Sequence, residues 1–237
     1  MTAVVLDGIV LGLQFGILGV GLTLVYGLGG VLNLAHGQMA VLTAIIIARA
    51  MEAGLSTPAA IAVGMVLIAV LGVVLDLTLM QPVYRQEGEN RVLLGLLLML
   101  GVGFIIDGVM EWRYPIEALS LRVEGDPIPI LGVAMRRGAI YASGVTVAVG
   151  ALLVAFFRLT TFGRATRSVI QDEEGARLCG VNPATVRTVI FGLSGVLAGV
   201  VAVTRSMTSP ITVTGGVNLT ILALIVAVVG GLGSVSG

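Results

Sequence analysis

Lysine is absent from this chain. All 13 basic residues are arginine, and the 237 residues hold one cysteine (Cys179), one histidine (His36) and one tryptophan. The missing lysine excludes a phosphate-gripping Walker A loop, a Schiff base and a lysine general base. A lone His and a lone Cys cannot make a Cys/His zinc site, and Cys179 has no intrachain disulfide partner. Charge is scarce as well: 11% of residues are charged, less than half of the roughly 25% usual in a soluble domain. The 13 acidic residues cancel the 13 basic ones, which leaves no footprint for nucleic acid. Neither catalysis nor a cofactor nor a metal is expected in this chain. A basic segment ahead of the first apolar run is also missing, so that run is expected to stay as a span rather than be cleaved as a signal.

What is plentiful is apolar. Hydrophobic residues make up 57% of the chain, and the mean hydropathy is +1.09. A helix needs about 20 mostly apolar residues to cross the hydrocarbon core. Lipid admits helices and closed barrels only, because no water is there to satisfy an open backbone. Seven runs qualify: Val4–Leu28, Leu34–Met51, Pro58–Met80, Val92–Glu111, Ala139–Arg158, Ala184–Ser206 and Leu219–Leu232. The expected fold class is all-α, a polytopic membrane helical bundle forming one transmembrane domain over residues 1–237.

Glycine is concentrated in these runs, where it lets helix backbones approach closely. Gly8, Gly12 and Gly16 make two successive GxxxG steps, and Gly195 and Gly199 repeat the spacing. Packing inside the bundle is the plainer expectation for both, and a subunit interface the sharper one. Gly27, Gly29 and Gly30 make the first link short, which suits a tight helix pair or a broken helix. Methionine is scattered without a stripe, as packing would leave it.

Two connections stand out. In Trp112–Arg137, Leu119, Leu121 and Val123 alternate with Ser120, Arg122 and Glu124, and Gly125-Asp126-Pro127 supplies turn residues before Ile128 and Ile130. A small β-hairpin over 119–133, outside the membrane, is expected. Arg158–Arg187 carries Arg158, Arg164, Arg167, Arg177 and Arg187, which places it in the cytoplasm by the positive-inside rule. Arg164 to Leu178 reads as one helix, with Gly180 as its left-handed cap. Asn182-Pro183 reads as the N-cap and first-turn proline of the next span. This orientation places Arg85–Arg91 inside and the N-terminus outside.

The residues that could carry function are few. Asn33, His36, Gly37 and Gln38 open the second run, where polar groups are costly unless satisfied or useful. They form either a helix break facing a translocation path or a cap bonded to neighbouring helices. Asp7, Asp76 and Asp107 lie in or near spans. For Asp76 and Asp107, interfacial exposure competes with a polar patch on the pathway, and Arg113 could reach toward Asp107.

Asn33-Leu34-Ala35-His36-Gly37-Gln38 resembles the N-x-A-H-G-E/Q motif of the branched-chain amino acid and urea/amide permeases of ABC importers. Phe162-Gly163-Arg164-Ala165-Thr166-Arg167 and Gln171-Asp172-Glu173-Glu174-Gly175-Ala176-Arg177-Leu178-Cys179-Gly180-Val181-Asn182 are similar to the family's cytoplasmic segment. Leu197-Ala198-Gly199 and Val229-Gly230-Gly231-Leu232-Gly233-Ser234 match in the right order. Gly175 departs from the family's usual alanine, which weakens an interior helix by about 1 kcal/mol. The chain also stops where relatives continue through a further span, so it is expected to lack a final one.

The resemblance implies a permease subunit in a bacterial inner membrane, half of a pair with a paralogous second permease. A cytoplasmic ABC ATPase would power it, and an extracytoplasmic solute-binding protein would deliver branched-chain amino acids, urea or amides near the hairpin. A coupling helix within 164–182, centred on Val169 to Val181, would dock on the ATPase through Arg164, Arg167, Asp172, Glu173, Glu174, Arg177, Leu178 and Gly180. Asn33, His36, Gly37, Gln38 and Asp107 would lie near the pathway. The competing classes are a self-sufficient secondary transporter or channel, which calls for inverted repeats and paired buried charges, and a structural assembly factor without transport.

Overall fold

A computed structural model describes residues 1–115, 118–121, 123, 125–130 and 133–231. Arg122 and Glu124 of the expected hairpin, and Leu232, Gly233 and Ser234 of the last motif, lie outside the described residues.

The first apolar run forms α1 (Thr2–Gly29), closed by Gly30 in the left-handed region at φ +66°, where glycine carries no Cβ penalty. α2 (His36–Glu52) and α3 (Thr57–Leu75) follow, α3 opening on Pro58 in its first turn as expected. A π-turn, Asp76–Met80, and a short α4 (Gln81–Val83) prolong α3 without a break. Pro82 explains the widened turn: it has no N–H to give, and its ring crowds the carbonyl four residues back. After α5 (Gly88–Arg113) come three short strands, β1 (Ala118–Leu119), β2 (Ile128–Ile130) and β3 (Val133–Met135). α6 (Arg137–Leu159), α7 (Thr161–Gln171), α8 (Glu173–Leu178) and α9 (Pro183–Thr208) come next. β4 (Ile211–Thr212) and a 3-10 turn lead into α10 (Gly216–Gly230).

Six helices among the described residues are long and apolar enough to cross a membrane: Val4–Gly29, Thr57–Val83, Gly88–Arg113, Arg137–Leu159, Pro183–Thr208 and Val213–Gly230. The expected second span is the exception. α2 has 17 residues, about 25 Å at 1.5 Å per residue. Residues 31–35 precede it without helix, Leu34 and Ala35 in a turn, with Val31, Asn33 and Ala35 buried. Non-helical backbone is tolerated at membrane depth only when protein surrounds it. Here Gly95 of α5 provides the room, since a Cβ on it would fall 2.2 Å from Val31 Cγ1.

α9 is the hub, packed by α1, α2, α3 and α6. Its expected packing glycines behave as such: a Cβ on Gly195 would come within 2.8 Å of the Ile68 carbonyl, and one on Gly199 within 2.7 Å of Met65 Sδ. Gly8, Gly12 and Gly16 do not. A Cβ on any of the three meets nothing within 4 Å, so the expectation of internal packing is corrected to an open face. Gly12 and Gly16 line an apolar groove of about 520 Å³ with Thr146 and Gly150 of α6. The outward faces of α3, α5, α6 and α10 present Val66, Val70, Leu97, Phe104, Leu152 and Ile225, as lipid-facing helices do.

The expected hairpin is shifted. β2 pairs antiparallel with β3, Ile128 opposite Met135, whereas β1 pairs with β4, Leu119 opposite Ile211. Leu119 and Leu121 are buried, and Leu121 N–H donates to the Ser206 carbonyl. The alternation seen in the sequence therefore reports docking onto the end of α9, and Gly125, at φ +123°, is a bend between the two ribbons.

Candidate functional site

Polar side chains gather at two levels, the start of α2 and the end of the bundle that carries α8.

At the first level, Asn33 turns the chain into α2: its Oδ1 accepts from Ala35 N–H at 3.1 Å, and its Nδ2 reaches Met39 Sδ at 3.6 Å. α2 begins without a side-chain cap of its own. The cap comes from α10, where Thr220 Oγ1 accepts from Gly37 N–H at 3.0 Å. The same hydroxyl lies 3.0 Å from Gln38 Oε1, and Gln38 Nε2 donates to Asp107 Oδ2 of α5 at 3.3 Å. His36 Nδ1 lies 3.3 Å from Ser194 Oγ of α9, and its Nε2 faces Gly21 of α1, where a Cβ would sit 2.8 Å away. Four neighbouring helices thus close on one motif. His36, Gly37, Gln38 and Asn33 are all buried; His36 and Gln38 reach neighbouring helices, whereas Asn33 bonds locally to Ala35 and Met39.

Asp107 keeps one buried oxygen, Oδ1, without a partner. Among the described residues no ion pair joins it to Arg113, whose guanidinium lies over the Tyr114 ring at 5.3 Å instead. Asp76, expected at an exposed interface, is fully buried, and Thr188 Oγ1 of α9 donates to it at 2.6 Å. Asp76 continues the buried stripe of Ala60, Gly64, Ile68 and Gly72 at four-residue spacing, so helical periodicity itself turns this carboxylate inward.

At the second level the expected single helix is two. Asp172 takes extended backbone (φ −155°, ψ 103°), ends α7 and caps α8 by accepting from Gly175 N–H at 3.0 Å. Gly175 is therefore in the first turn and not interior, which corrects the cost expected there. Gly180 has φ +84°, and Asn182 caps α9 by accepting from Ala184 N–H at 3.0 Å, both as the sequence implies. The site residues then divide. Arg164, Asp172, Glu174, Arg177 and Gly180 are exposed, and Leu178 is 90% exposed at the tip. Arg167 turns inward to the Phe157 carbonyl, and Glu173 turns inward to Arg187.

Sequence reasoning missed Arg187 and Tyr84 as site residues. Arg187 was visible only as one of five loop arginines, yet it is 5% exposed. Tyr84, just beyond α4, lies under it, and burial, then the neighbouring Asp76 carboxylate, pushes the Tyr84 phenol up from its ordinary range. Their signal in the sequence was a charged residue four places into a span and an aromatic two residues after a proline, neither of which names a partner.

A family profile described as branched-chain amino acid transport system / permease component matches residues 4–237. The LivH high-affinity branched-chain amino acid permease of Escherichia coli is 24% identical over 245 residues, covering 98% of this chain and 79% of the relative. The BraD permease of Pseudomonas aeruginosa is 29% identical over 247 residues with the same coverage. The L-arabinose permease AraH of Escherichia coli is 33% identical over 128 residues, 51% of this chain and 39% of the relative. No solved structure matches significantly. These relatives are transport permeases rather than enzymes, and the broken second helix and the capped α8 lie within the matched residues. A multi-pass membrane protein with this chain-long match belongs to the branched-chain amino acid transport system permease component family.

Proposed function

We propose that the chain is the transmembrane subunit of an ABC importer in a bacterial inner membrane that moves branched-chain amino acids. A separate ATPase supplies energy, a solute-binding protein delivers substrate, and a second permease completes the pathway. No cofactor is required of this chain itself.

The observation that carries the reading is α8 and its tip. A six-residue helix capped at both ends holds Leu178 almost wholly in solvent, ringed by Glu174, Arg177 and Asp172. An exposed apolar knob with a charged rim is what a groove on a partner protein recognises. Docking there places α8 and Arg85–Arg91 in the cytoplasm and the β-ribbons outside. The outer end then holds a cleft of about 340 Å³ lined by Ser120, Arg136, Arg137 and Thr208, beside which a binding protein would sit. Asn33, His36, Gly37, Gln38 and Asp107 lie between the two ends. Of these, Asp107 is the residue to line the path, because a half-exposed carboxylate has no place against acyl chains.

Affinity isolation of the tagged chain from native membranes tests the reading. An ATPase and a second permease should co-purify, and Leu178→Asp should reduce ATPase recovery while leaving the chain in the membrane. Equal recovery with Leu178→Asp would refute docking at this tip. Vesicles of the isolated complex should take up leucine in preference to arabinose, the competing solute suggested by the shorter likeness to AraH. The reverse preference would reassign the substrate.

A further inference from the structure

Burying an arginine is costly, because its charge cannot be neutralised and each donor left unpaired adds to the penalty. Arg187 meets that cost through partners from three separate parts of the chain. Its Nε donates to the Leu28 carbonyl at 2.9 Å, an acceptor in the last turn of α1 that has no partner within its own helix. Its Nη2 pairs with Glu173 Oε2. Its guanidinium lies 4.5 Å from the centroid of the Tyr84 ring, and Arg91 of α5 lies over the same ring at 5.3 Å.

Two of these contacts sit at the turn that leads into the buried motif. Leu28 is two residues before Gly30, the left-handed cap from which the chain runs back into the bundle. The Tyr84 ring packs on Gly29, where a Cβ would fall 2.7 Å from its Cε1. Glu173 is shared in the other direction: its Oε1 accepts from Arg177 Nη2 at 2.7 Å, and the Arg177 side chain is 61% exposed. A line of charged contacts therefore runs from the exposed rim of α8 through Glu173 and Arg187 to the turn that holds residues 31–35.

We propose that Arg187 is the positioning residue that passes displacement of α8 to the re-entrant turn, with Glu173 as its grip on α8. The proposal rests on the reading of α8 as the ATPase-docking element. Separating the pair would leave an uncompensated charge in a buried setting, so the two side chains move together. Four residues, 179–182, separate α8 from α9, and Asn182 caps the start of α9.

The test uses the importer purified with its own ATPase, second permease and binding protein, and reconstituted in vesicles. Glu173→Gln keeps the shape of the grip and removes its charge. Arg187→Lys keeps the charge and removes the Nε bond and the flat stack on Tyr84. Glu89→Gln, an exposed carboxylate in the first turn of α5, is the control. Solute moved per ATP hydrolysed should fall about tenfold in each of the first two, within the usual range for coupling between sites. ATPase recovery should stay parental, and the double variant should be no worse than the poorer single one. Parental solute-to-ATP ratios in Glu173→Gln, or effects that multiply in the double variant, overturn the proposal. Loss of the ATPase from Glu173→Gln alone also overturns it, by assigning Glu173 to the docking surface. If Arg187→Lys does not reach the membrane, Glu173→Gln decides by itself. Failure of the unaltered chain to retain any ATPase would strike the docking reading instead, a result separable from all of these.

Discussion

Gly37 is among the tightest positions in the molecule. A Cβ there would meet the Gly216 carbonyl at 2.2 Å and the Thr220 nitrogen at 2.5 Å, both backbone atoms that cannot step aside. Gly37→Ala must separate α2 from α10, at an overpacking cost of about 2–3 kcal/mol. For a chain this long that lowers the Tm by about 5–10 °C. Gly12→Ala meets open space and should leave the Tm unchanged. Thermal unfolding of the two variants in one detergent checks both, and equal shifts would refute the contrast. Asp107→Asn should lower uptake while membrane abundance stays at the parental level, since an amide still accepts from Gln38 but removes the charge. Parallel loss of both would make Asp107 a folding residue. Charged and polar residues were legible in the sequence as unusual, but their partners were not. Arg187 bonds 159 residues back to Leu28, and Asp76 bonds 112 residues on to Thr188. No spacing rule reaches that far.

At the scale of the element, local chemistry was readable and pairing was not. Gly180, Asn182 and Pro183 each act within a few residues of themselves, so their cap roles follow from residue type. Asp172 acts just as locally, but its neighbours Glu173 and Glu174 are good helix formers, and they hid the break. Asp172→Ala removes the α8 cap, worth about 1 kcal/mol. In a helix of six residues that loss is a large share of what holds it, so protease cleavage between α7 and α9 should quicken in the purified chain. An unchanged cleavage rate would mean that the Glu173–Arg187 pair and the packing of Ala176 hold α8 without the cap. Gly175→Ala should bring none of the gain that helix propensity suggests, because its Cβ would stand 2.5 Å from Asp172 Oδ2 and disturb the cap. The ribbons tell the same story. Leu119 and Leu121 alternate as a strand should, yet their partner strand, β4, lies some ninety residues downstream.

At the scale of the whole molecule, the open face of α1 asks for a partner. Gly12, Gly16, Thr146 and Gly150 line one smooth apolar groove, and GxxxG spacing allows close helix approach there. The glycine spacing marks the face as smooth but does not name what fills it. If the second permease packs there, Gly12→Leu should leave the Tm of the isolated subunit unchanged while reducing recovery of the second permease. Full recovery would place the pair contact elsewhere, and a lower Tm would show that the groove closes within the chain.

The cap on α2 sets an order of events during synthesis. Thr220 is made 183 residues after Gly37, and ribosomes add about 5–20 residues per second. For roughly 10–40 s the nascent chain therefore carries His36 and Gln38 without the full set of partners that α9 and α10 supply. The segment cannot settle among lipids alone during that interval, so its insertion is post-paid by the last helices. A chain arrested before residue 216 lacks the hydroxyl that caps Gly37, so the buried motif is complete only once α10 has been made.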